Sequence, residues 1–253
     1  MLSIDLNCDM GEGFGPHDGG NDQRVMPLIT SANIACGFHA SDPRLMARTV
    51  RLAAQHGVAI GAHPSYPDLV GFGRRAMELT AEEVAADVTY QVGALWAFCR
   101  AEGVPLSHVK AHGALYNKAA VDVATAKAIA QAIKKVDPAL TMVCLSNSAM
   151  VEAARECGVA YVEEAFADRA YNREGKLVAR SKPGAVLHDP AIIAERVLRM
   201  VREQVVVADD GNEVALQPQT ICVHGDTPGS YEMLVAIRQR LKESGVQLKA
   251  LGR

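Results

Sequence analysis

Short runs of β-branched and apolar residues alternate along this chain with longer segments of helical periodicity, and no other feature constrains its fold so strongly. Each run has the length of a strand. Each intervening segment is long enough to carry the chain back to the start of the next strand, so the units read as successive βα repeats in a parallel sheet. Strands are predicted at Leu2 to Asn7, Ala32 to Cys36, Val58 to Ala62, His108 to Ala111, Thr141 to Leu145, Ala160 to Glu164 and Thr220 to His224. Seven strands in 253 residues, with 49% hydrophobic composition to fill the layers, predict a single α/β domain over residues 1–253, a seven-stranded (β/α) barrel.

The helical segments are punctuated by residues that start and stop helices. Asp42-Pro43 supplies an N-cap and an N1 proline, Met46, Val50 and Ala53 continue one apolar face, and Gly57 follows as a carboxyl cap. Thr80 and Glu83 have capping-box spacing ahead of Val84, Val88, Val92, Leu95 and Cys99. Further helices are predicted to open at Asp189-Pro190 and at Thr227-Pro228. Two stretches break the rhythm, Tyr171 to Arg180 around Gly175 and Val205 to Leu216 around Asp210-Gly211, and both read as hairpins at the barrel rim.

The net charge of −3 comes from interspersed acids and bases with no basic run, which argues against a nucleic-acid partner. Neither a signal-peptide pattern nor a long apolar stretch occurs, so a cytoplasmic protein without membrane association is expected. The six cysteines contain no C-x-x-C pair and read as reduced core residues.

In parallel α/β folds the residues just beyond each strand's carboxyl end line the active site. That rule gathers Asn7, Asp9 and Glu12 after strand one, His39 after strand two, His63 after strand three, and Lys110 with His112 at strand four. Strand six ends at Glu163-Glu164 ahead of Asp168-Arg169, and strand seven ends in His224-Gly225-Asp226. Four of the eight histidines therefore fall on one rim. A lone histidine after a strand is more often a hydrogen-bonded turn residue than a catalyst; convergence is what distinguishes this set. His17, His56, His108 and His188 lack such company and read as structural or solvent-facing. Asp5, inside a strand, reads equally as a satisfied buried carboxylate or a site residue.

The run Gly11-Glu12-Gly13-Phe14-Gly15 does not open a helix, and no G-x-x-x-x-G-K-[ST] occurs, so neither nucleotide-binding signature is met. The glycines are expected to shape a mobile flap beside Asp9 and Glu12. Arg74-Arg75 reads either as a clamp for a substrate carboxylate, through Arg74, or as an exposed basic pair.

Six ordered blocks carry a family resemblance: Asp5 to Gly15, Ser31 to Ala40, Gly61 to Asp68, His112 to Asn117, Phe166 to Tyr171 and Cys222 to Pro228. Nearly end to end, the chain resembles the LamB/YcsF lactam-utilisation family, the A subunits of bacterial ATP-dependent 5-oxoprolinase. Two positions depart from the family's usual pattern, Ala111 where proline is common and Ser41 where glycine is common. The resemblance implies a deacetylase-like barrel, 5-oxo-L-proline as the lactam substrate, ATP as co-substrate of the complex, and B and C subunits as partners. The candidate catalytic residues are then Asp9, activating water, with His39, Lys110 and His112 handling protons and oxyanion charge. Candidate substrate contacts are Asn7, Glu12, His63, Arg74, Tyr116, His224 and Asp226. The deacetylase kinship raises an alternative, a divalent metal held by Asp9, His39 and His63 in a deacetylase-like amidohydrolase. A non-catalytic lactam-binding protein is the third reading.

Overall fold

The computed structural model describes residues 2–15, 21–225 and 227–251. Seven strands close into a parallel barrel: β1 (Ser3–Met10), β2 (Ser31–Ala35), β3 (Ala59–His63), β4 (Leu106–Val109), β5 (Thr141–Leu145), β6 (Tyr161–Phe166) and, after a hairpin, β9 (Thr220–Val223). Neighbours pair in chain order, and β9 closes the cylinder by pairing with both β6 and β1. The hairpin is β7 (Val205–Val207) with β8 (Glu213–Ala215), antiparallel as the sequence predicted. A short β10 (Gln247–Leu248) lies alongside Ser3 and Ile4 at the start of β1.

Around the barrel run α1 (Asp22–Val25), α2 (Pro43–His56), α3 (Ala81–Ala101), α4 (Gly113–Ala119), α5 (Val123–Val136), α6 (Ala149–Cys157), α7 (Pro190–Arg202) and α8 (Ser230–Glu243). Their ends follow the predicted chemistry. Asp42 accepts from the amides of Arg44 and Leu45, and Gly57 ends α2 at φ 64°. Thr80 and Glu83 make the reciprocal capping box of α3. One helix start differs: α8 begins at Ser230 behind Gly229 at φ 84°, not at Thr227-Pro228. The Thr227 hydroxyl is engaged by Asp168, which keeps that residue out of the cap. The Tyr171 to Arg180 stretch is a looser turn than predicted, with one antiparallel bridge from Tyr171 to Leu177. It meets the β7–β8 hairpin where the Asp209 amide donates to the Tyr171 carbonyl, and Asn147, just past β5, bonds the Ala215 carbonyl. Both excursions therefore sit at the rim.

Ile4, Leu6, Cys8 and Met10 of β1 belong to the apolar core, packed with Val50, Val88, Val92, Leu95 and Ile237 of the surrounding helices. A fully buried aliphatic side chain contributes about 1.5–3 kcal/mol, so this outer layer holds the barrel shut. Among the described residues, all six cysteines are free and five are buried. Among the described residues, no helix is long and apolar enough to cross a membrane.

Candidate active site

The barrel interior is polar, and its residues come from alternate positions of each strand, because side chains at i and i+2 share a face. Asp5, Asn7 and Asp9 of β1 meet Ser31 and Asn33 of β2, Glu164 of β6 and Thr220 of β9 through side-chain hydrogen bonds. At the lower end the Asp5 carboxylate accepts from Thr30, Ser31 and Thr220. Burial pushes its pKa up while the three hydroxyls oppose that shift, so Asp5 is the satisfied buried carboxylate of the two readings.

Lys110 stands at the centre. Its Nζ lies 3.1 Å from Asp9 Oδ1, 2.9 Å from Glu164 Oε1, 3.0 Å from Cys222 Sγ and 3.3 Å from Asn7 Oδ1, and the residue is 2% exposed. Burial opposes the ammonium, but Asp9 and Glu164 outweigh it and hold the Lys110 pKa well above the usual lysine value. The same contacts act on Asp9: burial opposes its charge, and His63, when protonated, and Lys110 hold its carboxyl well below the usual range. Glu164 is steadied by the Tyr116 hydroxyl, 2.8 Å from Oε2. Below Asp9, His108 Nε2 donates to Asn33 Oδ1 at 2.9 Å, which turns the Asn33 amide protons toward Asn7 Oδ1 and Asp9 Oδ1. Burial and the Lys110 charge bring the His108 pKa down to about 3, so its ring is neutral.

Three of the rim histidines form a wall. His39 and His112 stack at 3.8 Å between centroids, and His63 meets both edge-on. His63 Nδ1 donates to the Lys110 carbonyl at 2.7 Å and His112 Nε2 to the Phe72 carbonyl at 2.9 Å. Both other nitrogens are thereby left as acceptors, and they face each other at 3.0 Å. Glu12 Oε1 lies 3.3 Å from His112 Nδ1 and 4.0 Å from His63 Nε2. A tetrahedral zinc with bonds of about 2.0–2.2 Å has ligand-to-ligand edges of about 3.3 Å, and its histidines donate their second N–H to carbonyls, so the arrangement fits a divalent ion. The residues that would hold it are drawn from Glu12, His39, His63 and His112. Of the trio expected from sequence, His39 Nε2 lies 3.1 Å from Glu12 within this cluster, and Asp9 Oδ2 approaches His63 Nε2 at 3.4 Å.

His224 stands apart from that wall, paired with the buried Asp168 and stacked on Phe166. A cavity of about 530 Å³ opens between these groups, lined by Asp9, His63, Lys110, His112, Tyr116 and His224 together with Arg74, Arg169 and Arg180. Asn7, Glu12 and His39 do not line it; Asn7 instead braces Lys110 and Glu164. Arg74 is among the residues lining the cavity, while Arg75 is paired with Asp68. Asp226 and His17 lie outside the described residues. The described part of the glycine run is tied down, Gly11 by Asp22 and Gly15 by Asp42.

Sequence reasoning missed Asn33 and Cys222, and it placed Glu164 at the end of strand six and Asp168 beyond it without giving either a role. The signal for Asn33 and Glu164 is their alternation with strand neighbours that face outward, the same period of two that sets Asp5, Asn7 and Asp9 inward and marks a polar interior.

The LamB/YcsF family profile matches residues 4–253. The chain belongs to the LamB/YcsF family. Within it, the chain is 52% identical over 251 residues to the 5-oxoprolinase A subunit of Syntrophobacter fumaroxidans, covering 99% of each. It is 53% identical over 249 residues to the protein of that name in Thermus thermophilus, covering 98% of this chain and 100% of that one. The crystal structure of a lactam utilization protein from Thermus thermophilus superposes with a TM-score of 0.94 at 52% identity, over 99% of this chain and 100% of that one. At that identity, this LamB/YcsF chain and the Thermus protein share one barrel.

Proposed function

We propose that this LamB/YcsF chain is the ring-opening component of an ATP-dependent 5-oxoprolinase, converting 5-oxo-L-proline to L-glutamate together with B and C subunits. Full-length identity to chains named as 5-oxoprolinase A subunits supports the substrate. The observation that carries the chemistry is Lys110, a buried ammonium beside an ionised Asp9 at the floor of the cavity. A five-membered lactam keeps its amide resonance, so water attacks it slowly. Phosphorylation of the lactam oxygen by ATP makes the ring carbon electrophilic. This sequence has no P-loop, so phosphoryl transfer is assigned to the partners and ring opening to this chain.

In that division Lys110 stabilises negative charge on the substrate oxygen, a role worth about 3 kcal/mol in a dry site. Asp9, kept ionised, accepts a hydrogen bond from the attacking water and orients it. Arg74, Arg169 and Arg180 give the cavity lining a positive charge suited to the substrate carboxylate and a phosphoryl group. A divalent ion held by residues of the Glu12, His39, His63 and His112 cluster would supply Lewis-acid polarisation when bound. Tyr116 and Asn7 hold Glu164 against Lys110 and so fix the ammonium.

The test is ATP-dependent glutamate release from 5-oxoproline by this chain combined with its B and C partners. Asp9→Asn should lower the rate at least about a hundredfold while assembly is retained. Glutamate release at the wild-type rate by that variant removes Asp9 from the mechanism.

A further inference from the structure

Opening the ring requires protons on the ring nitrogen, and the structure contains a built proton carrier that the roles above leave unused. His224 Nδ1 donates to both oxygens of Asp168, at 2.9 and 3.0 Å, and the Thr227 hydroxyl adds a bond to Oδ2 at 3.2 Å. Asp168 is fully buried. Phe166 stacks on the imidazole with centroids 5.3 Å apart. Arg196 anchors the loop that presents Asp168 by bonding the carbonyls of Phe166, Ala167 and Arg169. With Nδ1 committed to Asp168, Nε2 is the nitrogen His224 offers to the cavity it lines. A carboxylate on Nδ1–H fixes the tautomer and stabilises the charge the ring acquires on taking a second proton, which is the design of a shuttle. Neither Asp9, held ionised, nor Lys110, held as a strong ammonium, gives up a proton readily.

We propose that His224, oriented by Asp168, carries the protons of the attacking water to the ring nitrogen and thereby decides whether the activated lactam opens or reverts. The proposal rests on the ring-opening reading. O-phosphorylation leaves the lactam as a cyclic imidate, with a double bond from carbon to nitrogen. Water adds through its oxygen; one of its protons passes by way of Nε2 to the nitrogen, and the carbon now bears hydroxyl, nitrogen and phosphoryl oxygen. Two bonds can break next. If the remaining hydroxyl proton is also delivered to nitrogen, the C–N electron pair leaves with it as an amine, giving the acyl phosphate of glutamate, which a second water hydrolyses to glutamate and phosphate. Without that proton the nitrogen is the poorer leaving group. Phosphate then departs with its electron pair, and the lactam re-forms carrying the oxygen of water. The net result of that second path is hydrolysis of the phosphoryl donor alone.

The two paths are separated by running the complex of this chain with its B and C partners on 5-oxoproline and ATP in ¹⁸O-water. The wild type is expected to release glutamate and phosphate in equal amounts and leave the remaining 5-oxoproline unlabelled. His224→Gln and Asp168→Asn are expected to release about a hundredfold less glutamate per phosphate and to place ¹⁸O in the recovered 5-oxoproline. Asp168→Asn conserves volume, so it supplies the same readout should His224→Gln fail to assemble. Equal glutamate and phosphate with unlabelled 5-oxoproline in assembled variants would overturn the proposal. Absence of ATP-dependent glutamate from the wild-type complex is a different outcome: it overturns the ring-opening reading and this proposal with it.

Discussion

Ser41 carries a side chain where the backbone asks for none. Its φ is 78°, its amide is bound to the Gly13 carbonyl at 2.6 Å, and it is buried, so the left-handed conformation is imposed by the turn into α2. Left-handed backbone costs a residue with a Cβ about 1–2 kcal/mol, and Ser41 Oγ makes only a 3.5 Å contact with the Asp42 carbonyl in return. Ser41→Gly is therefore expected to raise stability by about 1 kcal/mol, read as a higher denaturation midpoint at unchanged slope. The histidine wall makes a second prediction at this scale. Protein prepared without chelator should hold about one divalent ion per chain by metal analysis, and His63→Ala or His112→Ala should each lose it. Trace metal in the unchanged protein, with turnover that survives chelation, would dismiss the ion.

At the scale of elements, β3 and β4 are fitted together at one point. A Cβ on Gly61 would lie 2.1 Å from the His108 ring, so glycine is required there by the approach of the imidazole, which in turn orients Asn33. Gly61→Ala should cost about 3 kcal/mol by overpacking, and adding His108→Ala should recover part of that stability but not turnover, because Asn33 loses its orientation. Denaturant titration of the single and double variants checks the coupling. All seven barrel strands were legible because strand-length runs and capped helices alternate outside the two rim excursions; Asp42, Gly57, Thr80 and Asp189 mark their boundaries by side-chain chemistry alone. The start of α8 misled because Thr227-Pro228 has the form of a cap while Asp168, 59 residues away, claims the hydroxyl. The site was half legible for a related reason. His39, His63, His112, Asp9 and Lys110 could be placed from strand ends, but Asn33 and Glu164 sit inside strands. Their bonds to Asn7 span 26 and 157 residues, distances over which only the sheet register brings side chains together.

Over the whole molecule, the candidate site draws on the first and last strands of the cylinder. Asn7 of β1 reaches Thr220 of β9 across 213 residues, and Lys110 reaches Cys222 across 112. Closure by β9 thus completes the wall beside β1 and the polar interior in a single event. During biosynthesis that event comes late. A ribosome that has delivered everything through β6 has made an open sheet with two raw edges, and its polar face has no cover. Contacts of such long sequence separation form slowly, and unpaired parallel edges are where nascent chains associate with one another. The nascent chain therefore depends on protection at the edge of β1 for most of its synthesis, and a chain stalled before β9 has neither closed barrel nor complete site. Such a fragment would be a substrate for chaperones and proteases.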